Sequence, residues 1–143
     1  MAIKYFENII QCGAEDARNL LKDWNKDDHL IGGVINLAWN ITPKMVYPEW
    51  LPVLLYPADD EITYPTEWFN PILSFYDATR NFGKVVIHCQ AGGNRSCGCF
   101  GVILRARYGK TAEEALAITG QPGYHHWREA VEQYNVFEGG GWR

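Results

Sequence analysis

One short run constrains this chain more than any other. Lys84, Val85, Val86, Ile87 and His88 lead without a break into Cys89, Gln90, Ala91, Gly92, Gly93 and Asn94, and then into Arg95 and Ser96. Three consecutive β-branched residues suit a strand covered on both faces. Gly92 and Gly93 permit the dihedrals of a tight loop. Residues 96–108 read as a buried helix, stopped by Gly109, with Gly98 and Gly101 allowing close approach to neighbours. A buried strand running through a glycine loop into a helix is a unit of α/β architecture. In open sheets of that class, ligands bind beyond the carboxyl ends of the strands, where such loops lie.

The remaining segments agree with that class. Residues 8–11 and 33–37 read as strands. Residues 50–56 are an apolar run of strand length, in which Pro52 argues for an edge or a strand start. Ala14, Ala17, Leu20, Leu21 and Trp24 recur at helical spacing over residues 14–24, and the polar residues 25–28 end that helix. Residues 38–48 and 57–65 are loops, each with two prolines. Residues 71–80 form a helix with Asn70 as its N-cap and Pro71 at its first position. Thr111 and Glu114 make a capping box for residues 112–118. Residues 120–123 are a turn, residues 126–134 a last helix, and residues 138–143 a loose tail. No repeat or linker divides the 143 residues. The expectation is one α/β domain over residues 1–143, with a central, mostly parallel sheet of about four to five strands flanked by helices.

Charge and composition remove several classes. The net charge is −4, and Lys and Arg form no block, which excludes non-specific nucleic-acid binding and attachment to anionic membranes. No run approaches the roughly 20 apolar residues of a membrane span. The start carries Lys4 and Glu7 and has no apolar core of a secretory leader. Cys12, Cys89, Cys97 and Cys99 read as free thiols of a reducing, cytoplasmic compartment. They do not have structural zinc spacing. Six Trp, eight Tyr and six Phe are read chiefly as core, the rest as lining for an organic ligand. His125 and His126 are read as surface or packing residues without metal partners.

The loop carries the chemistry. The start of the following helix offers unsatisfied N–H groups and a positive dipole end. A loop curling over it, residues 89–95, aims further N–H groups inward as an anion nest. Gln90, Ala91, Gly92, Gly93 and Asn94 contribute backbone to that cradle. Arg95 adds a planar fork that holds two oxygens of a phosphoryl group. The same field favours the thiolate of Cys89, which is a nucleophile for phosphoryl transfer. Ser96 is placed to donate to the sulfur and help it leave. His88 is read as a hydrogen-bonding orienter behind the loop, Cys97 and Cys99 as packed helix residues.

The string HCQAGGNRS, His88 to Ser96, resembles the signature of the cysteine-dependent protein tyrosine phosphatases. Its closest likeness is to the dual-specificity branch, whose loops often read HCxAGxxRS. LLYPADD at 54–60 and WFNPILSFYDA at 68–78 resemble that branch's acid loop and following helix. RARYGKTAEEALAI at 105–118 resembles its next two helices, and the likeness spans residues 34–134. The resemblance implies a phosphocysteine intermediate on Cys89, Arg95 as phosphate ligand, and no metal or cofactor. It implies a general acid at Asp59, counted back from Phe69, with Asp60 as the neighbouring competitor. The implied substrate is a phosphorylated protein, phosphotyrosine first and phosphoserine or phosphothreonine as well. The alternatives are a non-protein phosphoester (an inositol lipid, a small phosphate or an RNA 5′ end) and a phospho-binding module without turnover. The uncharged Gln90, Ala91, Gly93 and Asn94 argue against highly charged substrates, and binding-only relatives lack the Cys or the Arg that this chain keeps. A redox disulfide of Cys89 with another cysteine is the alternative to four free thiols. Two departures from the pattern stand out. Pro71 lies where the branch has a helix, implying a late start or a kink, and GQPGYHHW at 120–127 lacks the usual Arg-rich turn.

Overall fold

A computed structural model describes residues 3–22, 30–40 and 45–137 of the chain. Strand β5 (Lys84–His88) lies at the centre of a five-stranded sheet, between β2 (Ile9–Cys12) and β3 (Ile31–Asn36). The edges are β1 (Lys4–Phe6), beside β2, and β4 (Val53–Leu55), beside β3. All neighbours pair in parallel except β1 and β2, which form an antiparallel hairpin.

Val85, Val86 and Ile87 are fully buried, as their β-branched run requires. Val85 and Ile87 face one core and Val86 the other, following the two-residue period of a strand. The Val86 side packs with Ile10 and Val34 against Ala17, Leu20 and Leu21 of α1 (Ala14–Lys22). The opposite face carries α2 (Asn70–Thr79), α3 (Arg95–Arg107), α4 (Ala112–Thr119) and α5 (His125–Gln133). Burying an aliphatic side chain of this size contributes about 1.5–3 kcal/mol, so the sheet is stabilised from both sides.

Several elements differ from the sequence reading. Strand β1 went unpredicted: it has three residues, and its central Tyr5 is exposed. Asn70 is not an N-cap. Its φ of −56° and ψ of −45° are already helical, because a 3-10 turn over Thr66–Phe69 feeds directly into α2. The capping position falls to Phe69, which makes no side-chain cap bond. Pro71 neither delays nor breaks the helix, since its missing N–H falls in the first turn, where it has no intrahelical partner to lose. Strand β4 begins immediately after Pro52 and occupies an edge, as that proline predicts. The capping box forms, with Glu114 N–H donating to Thr111 Oγ1 at 3.1 Å and Thr111 N–H to Glu114 Oε1 at 2.9 Å. The end expected for the first helix after residue 22 and the tail at 138–143 lie outside the described residues. Among the described residues no helix is long and apolar enough to cross a membrane.

Helix α3 is buried along most of its length, and its glycines set how close α5 can come. A Cβ at Gly98 would meet the Trp127 ring at 2.5 Å, and one at Gly101 would meet Val131 at 2.8 Å. Trp127 is fully buried and has no room to yield. Gly98→Ala therefore destabilises the fold by about 1–3 kcal/mol through overpacking, although alanine is the better helix former by about 1 kcal/mol. Denaturant midpoints of the two proteins check this; an unchanged or higher midpoint in the variant would contradict the packing.

Candidate active site

The parallel pairing of β2 with β5 sets Cys12 opposite His88, so the chain leaves both strands side by side. Residues 13–14 then support the loop. Ala14 N–H donates to Gln90 O at 2.9 Å. Gly92 has φ +85°, and a Cβ there would lie 2.7 Å from Gly13 N, so only glycine fits. From β2, Gln11 Nε2 donates to Gly92 O at 2.8 Å and to Ser96 Oγ at 2.7 Å.

The Cys89 thiol is 2% exposed at the N-terminal end of α3. Its sulfur accepts Gly92 N–H at 3.3 Å and lies 3.2 Å from Ser96 Oγ. Ser96 Oγ also lies 3.2 Å from Cys12 O, a second acceptor for its one proton.

Arg95 is buried at the first position of α3. Its Nη1 donates to Ala58 O at 3.3 Å. Its Nε stands 3.4 Å from Asp60 Oδ1, an ion pair without hydrogen-bond geometry, so both atoms are buried with no hydrogen-bond partner. Asp59 lies on the exposed side of the same loop, where its Oδ1 accepts Glu61 N–H at 2.7 Å. Its own N–H donates to Tyr64 Oη at 2.9 Å. A cavity of about 530 Å3 opens here, lined among others by Asp59, Asp60, Ile62, Tyr64, Arg95 and Tyr124.

Cys89, Arg95, Ser96 and the loop backbone thus converge, and Asp60, named by the sequence as the competitor of Asp59, is the carboxylate that faces Arg95. The 120–127 segment, left without a role by the sequence, docks on the loop. Tyr124 N–H donates to Asn94 Oδ1 at 2.7 Å, and Gly123 N–H to Gly93 O at 3.1 Å. His125 and His126 are not isolated rings either. With Glu129 they gather one ligand atom each within 4.8 Å of one another. Thr63 Oγ1 ties the cluster to the acid-bearing loop, 2.9 Å from His126 Nδ1 and 3.0 Å from Glu129 Oε1. Cys12, Cys97 and Cys99 are buried free thiols, and burial pushes Cys12 up to about 12. Sequence reasoning missed Gln11, Tyr47 and Tyr64. The only available signal was one amide inside the apolar run 9–12.

His88 sits behind the loop in a chain whose proton positions follow from one amide. Ala38 N–H can only donate, so the Asn36 oxygen faces it at 2.9 Å. Asn36 Nδ2 then donates to Tyr47 Oη at 3.0 Å, and Tyr47 in turn donates to His88 Nε2 at 3.1 Å. The ring proton is left on Nδ1, which faces Cys89 O at 3.2 Å. Burial holds His88 neutral and lowers its pKa from 6.5 to about 4, with Arg18 adding repulsion. Between those values the unfolded chain binds a proton that the folded one refuses. Stability is therefore complete above pH 6.5 and is lost as pH falls toward 4, by on the order of 3 kcal/mol from this group. Unfolding free energies measured from pH 7 to 4 should show that extra loss in the wild type relative to His88→Asn. Parallel curves would mean that His88 does not stay neutral.

No family model matches the chain, and no curated protein matches it. Solved structures do. DUSP15 superposes with a TM-score of 0.76 at 19% identity, over 92% of this chain and 85% of its own. Tk-PTP in its active form gives 0.70 at 21% identity, over 92% and 94%. The human tyrosine phosphatase-like serine/threonine/tyrosine-interacting protein gives 0.72 at 18% identity, over 94% and 96%. At these identities the likeness is one of backbone, and it extends over nearly all of both chains: this chain has the fold of the dual-specificity branch of the protein tyrosine phosphatases.

Proposed function

We propose that this chain hydrolyses phosphomonoesters through a phosphocysteine on Cys89, acting on phosphorylated protein and on phosphotyrosine first. One observation carries the reading: Arg95 Nε is a buried donor without an acceptor, in the same site as a sulfur that already receives Gly92 N–H. A buried donor left unmatched is costly, and a phosphoryl oxygen is the acceptor its planar fork suits. The buried free thiols fit a reducing compartment such as the cytoplasm.

In the first step Cys89 Sγ attacks phosphorus, a P–S bond forms and the ester P–O bond breaks. Asp59 gives its proton to the leaving oxygen. Arg95 and the N–H groups of residues 90–95 hold the equatorial oxygens, where charge gathers. In the second step water attacks phosphorus, its proton returns to Asp59, and the P–S bond breaks. The Ser96 hydroxyl steadies the departing thiolate. Asp60 engages the Arg95 guanidinium and so serves as that cation's resting partner, whereas Asp59 stands on the exposed side of the loop. This division supports Asp59 as the acid.

Cys89→Ser should abolish turnover of an aryl phosphate, and acid quench should trap a phosphoenzyme in the wild type only. Wild-type protein without turnover would leave the binding-module reading instead, and a fully active Cys89→Ser would end the phosphocysteine one. The acid is tested separately. Asp59→Asn should slow esters with poor leaving groups by about 10²–10⁴-fold and barely affect good ones. Asp60→Asn should show no such dependence; if the two variants exchange behaviour, Asp60 is the acid.

A further inference from the structure

Gln11 is a polar side chain in a strand whose four residues are all buried. Its own exposure is 1%. The direction of its amide follows from its partners. Gly92 O can only accept, so Nε2 faces it, and the second Nε2 hydrogen goes to Ser96 Oγ. Gln11 Oε1 is then buried without a hydrogen-bond partner. A residue serving only the core would not leave half its amide unmatched, since an apolar side chain avoids that cost.

Both of its bonds end on atoms next to the nucleophile. Ser96 Oγ has one proton and two acceptors in reach, Cys89 Sγ and Cys12 O, each at 3.2 Å. With Gln11 occupying a lone pair, the hydroxyl cannot donate toward Gln11, and its proton is left to these two acceptors, of which the sulfur, when it departs as a thiolate, is the charged and stronger one. The Gly92 carbonyl belongs to the peptide that carries Gly93 N–H, and in a trans peptide these point in opposite directions. Drawing the carbonyl toward Gln11 turns Gly93 N–H away from it, to the side of the loop that takes the anion.

We propose that Gln11 is a positioning residue for this site: it aims the Ser96 proton at Cys89 Sγ and the Gly93 N–H at the bound phosphoryl group. The inference rests on the phosphocysteine reading above. Loss of Gln11 should chiefly slow the second step, in which the thiolate leaves, because that step depends on the Ser96 proton.

The test uses the full chain and two readouts. The first is alkylation of Cys89 by iodoacetate without substrate, followed on the Cys89 peptide by mass spectrometry across pH. In Gln11→Met the rate at pH 6.5 should fall roughly tenfold while the plateau at high pH is unchanged, as expected when one hydrogen bond to a charged group is lost. The second is rapid quench with an aryl phosphate. The phosphocysteine burst should persist while steady-state turnover falls roughly tenfold. In a Ser96→Ala background, Gln11→Met should leave alkylation unchanged and lower turnover by less than it does with Ser96 present, since only the bond to Gly92 O is then lost. Unaltered alkylation and turnover in Gln11→Met, or a full additional loss in the Ser96→Ala background, would overturn the proposal. Should Gln11→Met not fold, Gln11→Glu keeps the length but offers Ser96 an acceptor, and the same losses are expected. A wild type that never turns over would refute the hydrolase reading, while the alkylation profile would still report on Gln11.

Discussion

The candidate site hangs on one pairing, that of β2 with β5. Because the two strands run parallel with Cys12 opposite His88, the residues that follow them rise together from the same edge of the sheet. Gly13 lies so close beneath the loop that a Cβ there would fall 2.9 Å from the Ala91 carbonyl, and the Ala14 amide holds the loop at Gln90. Ile9 faces the α3 side of the sheet while Ile10 and Cys12 face α1, which puts Gln11 under Ser96. A slip of one residue would exchange the faces of β2. Cys12 would then lie beneath Ser96, and the loop would lose its amide support.

The acid-bearing loop rests on a second foundation, built of aromatic rings. Tyr64, whose hydroxyl receives Asp59 N–H, stacks on Trp68 with centroids 3.9 Å apart and planes 19° apart. Trp68 meets Phe69 and Trp127 edge to face. Trp127 is the ring that Gly98 admits against α3. Thr63 adds a polar tie to His126 and Glu129 on α5. The residues just past the exposed carboxylates are thus bonded to the helix that packs on the cradle's own helix. Much of the unusual aromatic content is accounted for here, as core that also positions a loop.

The fold was legible where the physics is local. The β-branched run at 85–87, the alternation of strands and helices, Pro52 ahead of an edge strand, and the Thr111 capping box each act over a few residues and left a readable pattern. Asn70 misled because the preceding 3-10 turn, which has no strong signature, took over the work of a cap. The loop's own residues were legible from their spacing. Its supports were not, since Gln11, Tyr47 and Tyr64 reach it across the fold, and a single buried amide or ring looks in sequence like any other. Which of Asp59 and Asp60 turns toward Arg95 depends on how a loop lies over a helix end, and that is a tertiary matter.

The contact between Arg95 and Asp60 has a consequence for encounter. Among the described residues, the one guanidinium lining this cavity already faces a carboxylate, Asp59 and Glu61 line the same mouth, and the whole chain carries a net charge of −4. An approaching anion therefore meets little long-range attraction. Electrostatic steering, which raises association rates at charged clefts and fades with salt, has almost nothing to act on. Capture of the proposed anionic substrate would be left to ordinary diffusion, and the guanidinium would act on it only once parted from its carboxylate.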